Sequence, residues 1–256
     1  MELNLKNKVV IITGASRGIG KAIALGFAKE GAKLSICGRT PETLESAAEE
    51  IKSPGAEVFA KPTDVTNGGE AKAFVNAILD QYGRIDVLVN NVGGSKKTPT
   101  LEISDEEWVE MLDFNAVNAA RMSQLVIPAM KEQGGGVIIN ISSIYGRESG
   151  GHITYNAGKA AMISLSKTMA NEFAPDNIRV LSVAPGSTMF PGGSWDKKQQ
   201  ADPKKIAAFV KNELPFGRFG KVEEIANVVV FLASGRASWV SGACINVDGC
   251  QSNSNI

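Results

Sequence analysis

Tyr155 and Lys159 stand four residues apart in "TYNAGK" (154–159). On a helix that interval puts a phenol and an ammonium side by side on one face. Taken alone, the pair is an ordinary solvated helix surface. It becomes chemistry only if other groups converge on it. A free tyrosine has a pKa of about 10, too high for a base at neutral pH. A neighbouring cation favours the phenolate and moves the group towards proton transfer in the working range.

A second constellation lies far upstream, in "TGASRGIG" (13–20). Gly14, Gly18 and Gly20 are spaced G-x-x-x-G-x-G, which differs from the common dinucleotide fingerprint G-x-G-x-x-G. The physics is shared: a tight turn without Cβ atoms lets backbone N–H groups and a helix N-terminus face a pyrophosphate. A glycine turn by itself is weak evidence. This one follows an apolar run and opens a helical pattern, which strengthens it. The second apolar run ends in "SICGRT", where Gly38 replaces the acid that binds a ribose 2′-OH and Arg39 follows. With Arg17 in the turn, the missing acid and two bases favour NADP, NAD being the alternative. The plain reading of both arginines is solvated surface.

These residues need elements to hold them. Short apolar runs occur at 8–13, 33–37, 56–60, 85–90, 136–142, 178–184 and 243–247. They are continuous rather than alternating, as in a parallel sheet covered on both faces. Between them, Ile19, Ile23 and Phe27, then Phe74, Ile78 and Tyr82, repeat at helical spacing. Gly31 and Gly83 suit helix C-caps, and Ser104 with Glu107 reads as a capping box. The pattern predicts an α/β chain, a single Rossmann-like doubly wound parallel sheet of about seven strands with helices on both faces. One domain spans 1–256. Residues 186–205, "GSTMFPGGSWDKKQQADPKK", break the rhythm as a long irregular connection. It leaves a strand's C-terminal end, where such sheets bind ligands, so a substrate lid around 186–213 is expected.

Bulk properties narrow the partners. Lys+Arg and Asp+Glu are equal at 27 each, giving no reason to expect nucleic acid or an anionic membrane. Cys37, Cys244 and Cys250 have no metal spacing and are odd in number, which suits a reducing compartment. No leader or membrane-length apolar run is read, so a cytoplasmic protein without a metal is expected.

Seven short stretches then fall in order: "TGASRGIG", "DVT" (64–66), "NNVG" (90–93), "DFNAV" (113–117), "NISS" (140–143), "YNAGK" (155–159) and "APG" (184–186). Over nearly its full length the chain resembles the short-chain dehydrogenases/reductases. Its ending, "LPFGRFGKVEEIANVVVFLAS" and "VSGACINVDG", looks like the 3-oxoacyl-(acyl carrier protein) reductase-like members, which include enzymes with many other substrates. The resemblance implies Ser143, Tyr155 and Lys159 at the reacting centre, with Asn115 distorting its helix and holding a water in a proton relay. It implies a cofactor site of Gly14, Ser16, Arg17, Gly18, Ile19, Gly20, Arg39, Asp64, Val65, Asn91, Gly93, Pro185, Gly186 and Thr188, together with Tyr155 and Lys159. Asp64 and Val65 would flank the adenine, and Asn90 with the Val92–Gly93 backbone the adenosine ribose. A homotetramer is also implied.

Three details depart from that pattern or need a choice. Counting from the strand end gives Ser143, whereas counting back from Tyr155 gives Ser142; Ser143 is taken, because loop length varies more easily. The family's carboxamide-binding threonine position is Phe190 here, leaving Thr188 or a backbone group to substitute. The only histidine, His152, is read as pocket wall, with Arg147 and Glu148 on the same approach loop and Trp195 in the lid. The expected reaction is hydride transfer between a nicotinamide and a small carbonyl or secondary alcohol. Glu172 and Asp176, where carrier-docking enzymes show bases, disfavour the alternative, a carrier-protein reductase. A nucleotide-sensing protein without turnover is a minor alternative, since Tyr155 and Lys159 are both retained.

Overall fold

A computed structural model of the chain describes residues 2–52 and 55–255. The seven apolar runs form β1 (Val9–Thr13), β2 (Lys33–Gly38), β3 (Val58–Pro62), β4 (Val87–Asn90), β5 (Gly136–Ile141), β6 (Ile178–Pro185) and, after the two-residue strands β7 (Thr188–Met189) and β8 (Gly220–Lys221), β9 (Cys244–Val247). The seven longer strands make one parallel sheet ordered β3-β2-β1-β4-β5-β6-β9. The order reverses between β1 and β4, and the crevice outside their C-terminal ends is where such sheets take a ligand.

Nine helices are described: α1 (Gly18–Lys29), α2 (Pro41–Lys52), α3 (Gly68–Tyr82), α4 (Asp105–Leu112), α5 (Asn118–Glu132), α6 (Ile153–Phe173), α7 (Ser194–Ala201), α8 (Pro203–Glu213) and α9 (Val222–Ala233). The continuous apolar strands now resolve into two covered faces. Val10 and Ile12 of β1 join Phe27, Leu44 and Val229 under α1, α2 and α9. Val9 and Ile11 join Phe74, Ile78, Met122 and Val126 under α3 and α5, with Ala170 of α6. Phe27 and Phe74 are fully buried, each contributing about 1.5–3 kcal/mol relative to exposure.

Helix ends follow the sequence closely. Gly83 closes α3 in the left-handed conformation at φ 68°, its N–H donating to Leu79 O. Ser104 caps α4 by accepting from the Glu107 N–H at 3.2 Å, but the Glu107 carboxylate accepts from the Thr98 hydroxyl at 2.9 Å. Only half of the predicted capping box therefore forms.

The segment expected to be irregular is not. Most of 186–205 is β7, α7 and the start of α8. Asp202 caps α8 by accepting from Lys205 N–H at 3.0 Å, and Pro203 takes the first helical position. No residue of α7 is buried, so an apolar period had nothing to record.

A polar chain pins α6 to the sheet. Asn90 Nδ2 donates to Asn140 Oδ1 at 2.8 Å, Asn140 Nδ2 to Ser166 Oγ at 2.7 Å, and Ser182 Oγ to Ser166 Oγ at 2.9 Å. All four are buried. A buried network of this kind fixes register because any slip leaves polar groups unpaired.

Candidate active site

The glycine turn sits between β1 and α1. Gly14 and Gly18 have φ of 65° and 56°, conformations that L side chains rarely adopt. Gly20 is held by space instead: a Cβ there would lie 2.4 Å from Gly14 O and 2.6 Å from Asn91 Nδ2. Asn91 braces the turn by donating to Thr13 O and Gly14 O at 3.1 and 3.0 Å. No side chain caps the start of α1, so its first N–H groups carry the helix's partial positive charge towards the crevice.

The turn opens into a cleft of about 910 Å³ lined by Gly14, Ser16, Arg17, Ile19, Arg39, Asp64, Val65, Asn91, Gly93, Ser143, Tyr155, Lys159, Pro185, Gly186 and Thr188. Arg39 lies over the Phe114 ring at 5.6 Å, which places its guanidinium beside the cleft. Gly18, Gly20 and Asn115 are not among the residues that line it. A cradle that any Cβ would fill, an uncapped helix start and two arginines fit a dinucleotide.

At the other end, Tyr155 and Lys159 occupy the first turns of α6. Lys159 is buried, its Nζ donating to Ile141 O at 2.8 Å and lying 5.8 Å from the Tyr155 ring centroid. Desolvation pushes its pKa down to about 7. Burial likewise raises the Tyr155 phenol; a hydrogen bond from Ser143 opposes this and the Tyr145 charge adds to it. The expected lowering of Tyr155 by its lysine neighbour is thus not produced by the protein groups alone. Sequence adjacency gives the charge but not the solvent exclusion, and here burial outweighs it.

The two serines separate cleanly. Ser142 Oγ donates to Lys159 O at 3.0 Å, facing the helix backbone. Ser143 lines the cleft with Tyr155, and of the two serines it is the one that opposes the rise of the phenol.

Asn115 lies in a π-helical turn, Asp113–Val117, between α4 and α5. Its side chain donates to Met111 O and Gly94 O at 3.0 and 2.9 Å and accepts from Gly94 N–H at 2.9 Å. A Cβ on Gly93 would lie 2.8 Å from both Asn115 Oδ1 and Lys159 Nζ. One on Gly158 would lie 2.6 Å from Asn115 Cβ. The glycine inside "YNAGK" is therefore what lets α6 approach the π turn.

Other expectations are redistributed. Asn90 is sealed in the core network rather than lining the cleft. Arg147 turns away to Cys244 O and Asn246 Oδ1, at 2.8 and 2.9 Å. Glu148 accepts from Ser252 Oγ and Asn253 N–H, leaving His152 to line the cleft. Trp195 lines the cleft and also stacks on Phe209, with ring centroids 4.4 Å apart.

A family model described as short chain dehydrogenase matches residues 8–200. The chain belongs to that family. With it, the protein is an oxidoreductase of CH–OH groups that works with a nicotinamide cofactor. A 3α-hydroxysteroid dehydrogenase of Mediterraneibacter gnavus is 39% identical over 254 residues, covering 97% of this chain and 98% of the relative. The 3-oxoacyl-[acyl-carrier-protein] reductase of Thermotoga maritima is 38% identical, covering 96% and 98%. Among solved structures, L-sorbose reductase of Gluconobacter frateurii, complexed with NADPH and L-sorbose, superposes with TM-score 0.94 at 34% identity, covering 99% and 100%. A 7α-hydroxysteroid dehydrogenase complexed with NADH and 7-oxo glycochenodeoxycholic acid gives 0.90 at 33%, covering 97% and 96%.

Within the family frame, some residues escaped sequence reasoning. Phe190 packs on the glycine turn: its ring would lie 2.8 Å from a Cβ on Gly18. Gln251 fastens the "APG" turn, accepting from Ser187 N–H at 2.7 Å and donating to Ser187 Oγ at 3.0 Å. Neither carries a local sequence signal, because each acts across a large gap in the chain. Among the described residues there is no group of three metal-ligating side chains and no helix long and apolar enough to cross a membrane.

Proposed function

We propose that this dehydrogenase is an NADP(H)-preferring enzyme of a small carbonyl compound or secondary alcohol, working through Ser143, Tyr155, Lys159 and Asn115. The observation that carries the proposal is that Ser143, Tyr155 and the buried Lys159 line one cleft together with the glycine turn. Ser143 Oγ and Tyr155 Oη hold the substrate oxygen between them. In reduction Tyr155 Oη gives its proton to that oxygen; in oxidation it takes it back. Lys159 Nζ binds the nicotinamide ribose and feeds the proton path that continues past Gly93 to Asn115. A bound nicotinamide supplies or takes the hydride and, when oxidised, adds the positive charge that stabilises the phenolate.

Arg17 and Arg39 hold the 2′-phosphate of the adenosine ribose, with Gly38 leaving room where an acid would repel it. Asp64 and Val65 flank the adenine, and Pro185, Gly186 and Thr188 line the nicotinamide side. Residues 186–213 act as a lid over the single domain. Paired titration with NADPH and NADH tests the cofactor part: NADPH binds at least tenfold more tightly, and equal or tighter NADH binding overturns it. A panel of neutral and anionic ketones, ketoses and alcohols, run with the better cofactor, tests the substrate part. The absence of turnover across it returns the reading to a nucleotide-sensing protein.

The carrier-protein reductase reading is second. Against it, Asp176, in the turn just after α6, pairs with Lys131 at 2.8 Å and offsets a base that an acidic carrier could use. The proposed assembly is a cytoplasmic homotetramer. Exposed Leu101, Val109 and Val117 around α4 and α5, and Trp239 before β9, are the surfaces that would be covered. Light scattering on the eluting protein tests it.

A further inference from the structure

The lid end of the cleft holds a second basic group. Lys96 and Lys97 are neighbours in the extended segment after β4, and they face opposite ways. Lys96 pairs with Glu110 of α4, whereas Lys97 lines the cleft. Lys198 lines it from α7, its Nζ 4.1 Å from the centre of the Trp195 indole. Among the described residues neither Lys97 nor Lys198 has a carboxylate within salt-bridge distance. Asp196, the nearest acid in sequence to Lys198, accepts instead from Gly192 N–H at 2.8 Å and Gln200 Nε2 at 3.0 Å.

Burial and two like charges, Lys97 and Lys205, push the Lys198 ammonium down, and no acid opposes them. Arg17 and Arg39 are not among the charges acting on it. Lys97 follows β4 and Lys198 belongs to α7, whereas Arg17 and Arg39 follow β1 and β2, so the lysines come from other elements than the arginines proposed for the 2′-phosphate. Cations held together without a counter-charge in a cleft are a standing field for an anion. The lining of the same cleft includes three aromatic side chains, Phe190, Trp195 and Phe209.

We infer that the substrate carries an oxyanion, a carboxylate or a phosphate ester, remote from its reacting carbonyl and seated by Lys97 and Lys198. Its stem lies along the aromatic wall. The inference deepens the oxidoreductase reading and rests on it. Both lysines are exposed to solvent, so the contribution is moderate and salt-sensitive.

The test uses two matched sets in the full-length enzyme. One pairs aliphatic oxo acids, from 4-oxopentanoic to 7-oxooctanoic acid, with their methyl esters; the other pairs ketose phosphates with the free ketoses. In at least one set the charged member shows kcat/KM higher by tenfold or more, and the set that does so tells carboxylate from phosphate. Raising NaCl to about 0.5 M shrinks the ratio, as screening requires. K97A/K198A brings the ratio close to one, and K198R retains it. Parity in both sets, a ratio indifferent to salt, or a preference that survives the double substitution overturns the inference while leaving the oxidoreductase intact. If the neutral members are inert as well, the oxidoreductase reading fails first and this one with it.

Discussion

The floor of the cleft and the segment proposed as its lid are built by different rules. Along the floor three polar side chains are each held by backbone: Asn91 by the glycine turn, Asn115 by Gly94, Lys159 by Ile141. At Gly20, Gly93 and Gly158 even one added carbon would collide within 2.8 Å of its neighbours. The lid is the reverse. α7 buries no side chain and α8 buries only Ile206, so three aromatic rings, Trp195, Phe209 and Phe219, give the region its cohesion. A floor that admits no variation suits a reaction that does not vary. A lid whose side chains can be exchanged without touching the core suits the choice of molecule.

Four measurements break or sharpen that contrast. The largest effect is expected from Tyr155→Phe, which keeps the ring and removes the acid. Turnover drops by about 10²–10⁴-fold, while NADPH titration stays within about threefold of the parent. Normal turnover would remove the floor from the chemistry altogether.

Next is Gly20→Ala. Its methyl group meets Gly14 O and Asn91 Nδ2, and a backbone carbonyl on one side with a hydrogen-bonded amide on the other leaves little room to relax. A loss of about 1–3 kcal/mol in denaturant unfolding is expected, together with weaker cofactor binding.

Lys159→Met probes the same floor through pH. The lysine's pKa is about 7 in the folded chain and about 10.4 when unfolded. Between those values the unfolded chain holds the extra proton, so the stability of the parent rises with pH. Relative to the methionine variant, which cannot titrate there, the parent gains up to about 1.4 kcal/mol per pH unit. A difference that stays flat from pH 7 to 10 would show that the ammonium remains solvated.

The smallest effect is expected from Trp195→Ala. Removing the ring stacked on Phe209 costs about 0.5–1.5 kcal/mol of unfolding free energy. It raises the substrate KM by roughly tenfold or less, in line with an exchangeable apolar contact. A collapse in stability comparable to that of Gly20→Ala would erase the distinction between floor and lid.

The same contrast explains what the sequence could convey. The strands were readable because each is buried on both faces, which writes burial as an unbroken apolar run. The glycine turn was readable because backbone conformation and lack of space both demand glycine. α7 was not readable, since a helix that buries nothing leaves no period; the Asp202–Pro203 start of α8 was the one available cue. The distortion at Asn115 came from resemblance alone, because no local pattern marks a π turn whose partners are Gly94 and Gly158. The direction of the Tyr155 shift needed the fold itself, because burial is a property of neighbours far along the chain.

One packing contact also has a meaning in time. α1, which presents the phosphate cradle, leans on α9, and a Cβ on Gly26 would lie 3.0 Å from Val230 Cγ2. About 200 residues separate the two helices in the chain. A ribosome that has released everything through Lys159 has already delivered each group proposed for proton transfer, yet the cofactor helix still lacks α9, the helix it packs against most extensively. Long-range closures of this kind form late, after the local elements are in place. Nucleotide capture should therefore coincide with the arrival of α9, and added cofactor should act on refolding as a trap for nearly finished molecules rather than as a template for early ones.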